Sequence, residues 1–258
     1  MICLWRAKGA ADSMRVFNRI TRKLLVSGGA WTCVASPAFA EDRRFEWSIT
    51  GTGTSDYVFR GLSLSNEDPV FQASVDVTYG IFYAGIWGSM VDGAGYEPVE
   101  LDLYAGIKPE WNDVTFDFGF VYYVYPWASA PHSEYIELKA GAEFSPVANL
   151  TLTPVFWYVP DQDNSDAVYA IEGSAAYELP AVGIFTPTVS GLVGYTEADS
   201  DGTFFGNLEP TDSYTYWNAG IALAVEKFTF DFRYWDTNIR GDGLADERFV
   251  FTTSITLP

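Results

Sequence analysis

Thiols are nearly absent from this chain: its two cysteines, Cys3 and Cys33, both fall within the first forty residues. Those residues read as a segment removed on export, so the remainder carries no disulfide framework and no thiolate chemistry. Histidine is almost as scarce, with His132 standing alone, and that leaves hydrolytic acid–base catalysis with little material. Basic residues are few. Across the chain, 15 Lys and Arg face 34 Asp and Glu, which disfavours nucleic acid as a partner. Long apolar runs are missing too, and no stretch approaches the ~20 residues that a spanning helix requires.

The first forty residues differ from all that follow. A basic region from Met14 to Lys23 leads into the apolar Leu24–Val34, and Ala38-Phe39-Ala40 precedes Glu41. This is the plan of a cleaved signal peptide, with the residues before Met14 as an upstream extension. Residues 1–40 are therefore expected to be the signal and 41–258 the exported domain. The flank Ala30-Trp31-Thr32 lacks the pattern that would make Cys33 a lipidation site. Removing the signal takes away six bases and one acid, which leaves a net charge of −24.

Aromatic residues make up 17 % of the chain, yet mean hydropathy is only +0.02. Segments with one apolar and one polar face reconcile the two figures, and period-two alternation recurs from residue 45 onward. Residues 45–60 set Phe45, Trp47, Ile49, Tyr57 and Phe59 against Glu46, Ser48, Thr50, Asp56 and Arg60. The same alternation marks 70–79, 99–107, 114–124, 136–144, 228–234 and 248–257, with less regular segments at 81–91, 149–159, 167–178, 184–196 and 213–226. Twelve strands and no helix are expected.

The connections alternate between short ones and longer, acidic, Gly- and Pro-containing ones, so all long loops fall at one end of a meander. Outer-membrane barrels show this asymmetry, and strands of about 9–11 residues match a tilted crossing. A soluble lipocalin-like barrel would alternate as well, but it would have to house twelve rows of Phe, Tyr and Trp in a small interior. The expected fold is all-β: a transmembrane, up-and-down antiparallel β-barrel of twelve strands. Trp47, Tyr57, Tyr79, Tyr122, Tyr158, Tyr177 and Tyr234 are placed at its interfacial girdles, and Tyr57 and Phe59 against lipid.

Four stretches, TSDYVFRGLSLSNEDPVFQASVDV, GIFYAGIWGSMVD, LDLYAGIKPEW and GFVYYVYP, carry a resemblance to a proteobacterial family known as TorF-type porins. It covers residues 53–92 best. The resemblance implies an outer-membrane barrel with a channel role. The chain departs from the family at Ser63-Leu64-Ser65 and in ending Ile255-Thr256-Leu257-Pro258, without a terminal aromatic.

With aromatics turned to lipid, the opposite faces would line a lumen. Its candidate selectivity residues are Asp56, Arg60, Asp76, Glu100, Asp102, Asp117, Glu137, Lys139, Glu143, Asp231, Arg233 and Arg248, with Glu46 and Glu172 beside them. Most are acidic, and a charged wall selects by sign, so a cation-preferring pore for small hydrophilic solutes is expected. In the competing reading the same groups pair across a filled lumen, and the barrel acts through its acidic outer loops. No enzyme activity and no cofactor are expected, because phosphate-binding, zinc and G-x-S-x-G motifs are all absent. Asp161, Asp163 and Asp166 are weak candidates for calcium, since the glycine and glutamate of an EF-hand are missing. Expected partners are outer-membrane lipid, lipopolysaccharide, the barrel assembly machinery and the solute itself.

Overall fold

A computed structural model describes residues 44–92, 98–128, 134–162, 166–199 and 212–258. Alternation becomes strand where it was expected. The first six barrel strands are β1 (Phe45–Thr54), β2 (Val70–Tyr79), β3 (Phe82–Met90), β4 (Val99–Ile107), β5 (Val114–Val124) and β6 (Tyr135–Val147). The other six are β7 (Leu150–Val159), β8 (Val168–Glu178), β9 (Thr186–Ala198), β10 (Ser213–Val225), β11 (Phe228–Thr237) and β12 (Arg248–Leu257). Each pairs antiparallel with its neighbours in sequence, and β12 pairs with β1 from Leu257↔Ile49 to Thr252↔Thr54. This last ladder closes the barrel, so every strand has two neighbours and no edge is left for lipid to meet. Among the described residues the only helical turn is a 3-10 segment, Gly243–Ala245.

Short connections cluster at one end and use left-handed backbone to reverse the chain. Gly80, Asn149 and Glu226 carry φ of 59°, 66° and 51° in the β2–β3, β6–β7 and β10–β11 turns. The longer connections lie at the opposite end. The whole is a transmembrane β-barrel with the asymmetry that the sequence led us to expect.

Facing lipid, Phe71, Ile86, Leu103, Phe118, Phe120, Leu138, Phe156, Ile171, Val193, Phe232 and Phe251 lie exposed on the outer wall. Trp47, Tyr79 and Tyr177, near strand ends on the short-turn side, are exposed as girdle residues should be. The inner wall differs from expectation. It carries rings as well as polar groups: Tyr83, Trp87, Tyr104, Tyr123, Trp157, Tyr214, Tyr216 and Trp235 are all buried.

Glycines on adjacent strands make room for these rings. Gly85 pairs with Tyr104, Gly106 with Tyr83 and Gly194 with Tyr216, and each tyrosine occupies the space that a Cβ on its glycine would need. Adding a side chain there means moving either a ring or a neighbouring strand. Gly106→Val is expected to cost about 1–3 kcal/mol through overpacking against Tyr83 and the Phe118 carbonyl. Gly173→Ala, with nothing within 4 Å of the added carbon, is the control and should stay within about 0.5 kcal/mol of wild type. Urea titrations of both variants in detergent, followed by tryptophan fluorescence, check the difference.

Candidate functional site

The first long connection does not extend outward. After the Ser55 N–H donates to the Phe251 carbonyl at 2.9 Å, the chain leaves the wall and folds into the lumen. Val58–Phe59 pairs with Leu62–Ser63 in a hairpin whose two turn residues, Arg60 and Gly61, have φ of 49° and 84°. A two-residue turn with both residues left-handed matches the twist of a hairpin, and glycine is the natural occupant of its second position. Arg60 is not a natural occupant of the first, where a side chain costs about 1–2 kcal/mol. Its side-chain contacts must hold it there.

The contacts show where the hairpin sits. Tyr57 Oη donates to Glu100 of β4 at 2.8 Å, Arg60 Nη2 donates to Glu137 of β6 at 2.6 Å, and Arg248 of β12 donates to Asp56 at 3.0 Å. A Cβ on Gly61 would stand 2.5 Å from Thr237 of β11 and 3.0 Å from Tyr216 of β10. One short hairpin can touch β4, β6, β10, β11 and β12 at once only from inside. The strand expected over 45–60 therefore ends at Thr54. Tyr57, placed against lipid by its alternation, is 4 % exposed in the interior instead. Phe59 likewise packs inward, with its ring centroid 6.4 Å from that of Tyr123.

Asp56 anchors the base of the hairpin. Its Oδ1 accepts from Ser63 at 2.7 Å and from Ser65 at 2.8 Å, while Oδ2 takes the Arg248 guanidinium. Ser65 Oγ in turn accepts the Tyr57 N–H at 2.9 Å, which ties the two arms together. Burial, followed by the charges of Glu100 and Asp102, holds the Tyr57 phenol well above its ordinary pKa, so it stays a donor. For Arg60, burial opposes the charge, but Glu137, Tyr216 and Glu172 outweigh it and the pKa is raised well above the usual value.

Of the twelve selectivity candidates, eight are buried in the interior: Asp56, Arg60, Asp76, Glu100, Asp102, Glu137, Arg233 and Arg248. Asp117, Lys139 and Asp231 are partly screened from solvent, and Glu143 is half-buried farther along β6. Glu46 is exposed at the start of β1. Ion pairs on the inner wall are extensive: Arg60 of the hairpin meets Glu137 at 2.6 Å, Lys139 meets Asp117 on the neighbouring strand at 2.7 Å, Arg233 meets Asp231 two residues away at 2.8 Å, and Arg248 meets Asp56 at 3.0 Å. Three of the buried acids have no ion-pair partner among the described residues. Asp76 accepts from Tyr104 and Ser74, Glu100 accepts from Tyr57, and one buried oxygen of Asp102 has no hydrogen-bond donor.

Below the hairpin, on the short-turn side, Tyr83, Tyr104, Lys108, Asp117, Lys139 and Trp157 line a cavity of about 30 Å³, room for a single water. No group of acidic, histidine or cysteine side chains suited to a metal occurs among the described residues. Asp161 is exposed, and Asp166 is half-buried. Asp163 and His132 lie outside the described residues.

A model of a bacterial protein family of unknown function, Gcw_chp, matches residues 42–254. The chain belongs to this family. Among solved structures, this Gcw_chp chain is similar to the KdgM porin, with a TM-score of 0.55 at 7 % identity, covering 82 % of this chain and 98 % of that one. It is also similar to the NanC porin, with a TM-score of 0.50 at 11 % identity and coverages of 82 % and 98 %. Such identities show a shared porin-like barrel fold. No curated protein matches the chain. Within the Gcw_chp domain, alternation alone could not reveal the inward hairpin, because Tyr57 and Phe59 keep the phase of the lipid-facing residues before them.

Proposed function

We propose that this protein is an outer-membrane channel for small hydrophilic solutes, cation-preferring and narrowed by its inward hairpin. The carrying observation is the excess of acids over bases on the inner wall, where Asp76, Glu100 and Asp102 form no ion pair among the described residues. A wall of low polarisability with surplus negative charge favours cations over anions of equal size. The resemblance to TorF-type porins and the porin-like fold support the same reading. The long loops then lie outside the cell and the short turns in the periplasm, with lipid and lipopolysaccharide against the outer wall. On this view no bond is made or broken by the protein.

A second reading has its own observation. The hairpin and the inward tyrosines fill much of the lumen, as expected of a closed barrel that acts through its outer loops. Current through the refolded mature protein in a planar bilayer, under a potassium chloride gradient, separates the two. Discrete steps whose reversal potential lies on the cation side are expected. Silence from protein shown to be inserted and folded would reverse the choice and send attention to the outer loops.

A further inference from the structure

Arg60 occupies a site that is built like a receptor for a guanidinium ion. Its Nη2 donates to Glu137 at 2.6 Å, and Tyr123 donates to the other Glu137 oxygen at 2.9 Å, which fixes that carboxylate in place. The Tyr123 ring is itself stacked on Tyr135, with centroids 4.4 Å apart. Two rings flank the guanidinium: its carbon lies 4.8 Å from the centroid of Phe59 and 5.8 Å from that of Trp157. Trp157 is oriented by donating to Glu172 at 3.0 Å, and Tyr216 donates to the same carboxylate at 2.7 Å. A carboxylate facing the cation, a second one behind, and aromatic faces are the elements that recognise organic cations.

Most of this cage belongs to the wall. Glu137, Tyr123, Trp157, Glu172 and Tyr216 come from β6, β5, β7, β8 and β10, and only Arg60 and Phe59 arrive with the hairpin. The Arg60 backbone is left-handed, a conformation that favours withdrawal once the side chain loses its partner. Trp157 also borders the cavity beneath the hairpin.

We propose that this cage is the channel's solute subsite, selective for guanidinium and primary ammonium groups, and that Arg60 fills it as a tethered mimic which such a solute displaces. The inference rests on the channel reading for the word solute, and it names the chemistry of that solute. A ligand carrying one guanidinium or alkylammonium on a slender body fits, whereas a neutral sugar offers the carboxylate no charge. In the wild-type protein the tethered group competes, so the apparent affinity for a free cation is reduced by the fraction of empty cages.

The test is calorimetric titration of methylguanidinium chloride into the folded protein in detergent. Arg60→Ala, confirmed as folded by its circular dichroism and gel mobility, is expected to bind at least about tenfold more tightly than wild type. Adding Glu137→Gln to that variant should abolish the binding. If Arg60→Ala does not fold, Gly61→Val serves in its place, because its side chain meets Thr237 and Tyr216 and keeps the hairpin from seating. Absence of saturable binding to either folded variant overturns the proposal, as does binding that survives Glu137→Gln. Because the measurement needs no membrane, a protein that binds the probe but carries no current refutes the channel alone.

Discussion

Replacing Asp56 by Ala is expected to lower the unfolding free energy by about 3–5 kcal/mol and to free the hairpin from its base, because it strands a buried guanidinium. Asp56 and Arg248 are each only 7 % exposed at their side chains, and the surrounding barrel offers Arg248 little else of opposite charge. Its next acidic neighbour, Glu67, is 3.4 Å away but largely in solvent. Arg248 would keep its bonds to the Gly243 and Asp246 carbonyls, which neutralise nothing. Ser63 would lose its acceptor in the same step, while Ser65 would keep only the Asp68 carbonyl. Asp56→Asn, which keeps the shape and one acceptor oxygen, should cost less than Asp56→Ala. Urea unfolding in detergent measures both, and a loss below 1 kcal/mol for the alanine variant would show that the hairpin docks by its apolar contacts alone.

The architecture was legible in the sequence because membrane strands are long and their two faces meet different surroundings. Phe71, Val75 and Tyr79 alternate with Gln72, Asp76 and Thr78, and that phase could be carried from strand to strand without knowing any pairing. The interior was legible only in part. Asp76, Glu100, Asp102 and Glu137 follow from phase alone, but what each meets depends on residues far away in the chain. Arg60 and Glu137 are separated by 77 positions, and Asp56 and Arg248 by 192.

The misplacement of Tyr57 and Phe59 has a specific cause. Alternation reports which residues share a face of a strand, and it continues unbroken past Thr54 although the strand does not. The hairpin inside the lumen alternates for its own reasons, with Tyr57 and Phe59 packing on Trp87 and Tyr123. The dipeptide Arg60-Gly61 was the available signal. A glycine with strand-like residues on both sides marks a tight turn, and it puts the arginine at the tip of a hairpin where its reach is greatest. The Gly–Tyr pairs of the inner wall were hidden for another reason: Gly106 makes room for Tyr83 only once the register of β3 on β4 is fixed.

Glu137→Gln should produce the other large effect, and a double substitution separates its two components. Removing the charge leaves Arg60 buried without its partner, at an expected cost of about 3–5 kcal/mol if the hairpin stays in place. The cheaper response is withdrawal, since leaving the lumen rehydrates the guanidinium and lets Arg60 abandon its left-handed backbone. Stability should then fall by less than that figure while, on the proposed channel function, single-channel conductance rises. Arg60→Leu with Glu137→Leu removes both charges and replaces them with apolar volume. A buried ion pair exchanged in this way is often neutral or better, so stability should return towards wild type. Conductance should return with it, because the hairpin is again held in place, now by packing. If the double variant is stable yet conducts like Glu137→Gln, then the ion pair itself, and not the seated hairpin, sets the resistance of the lumen.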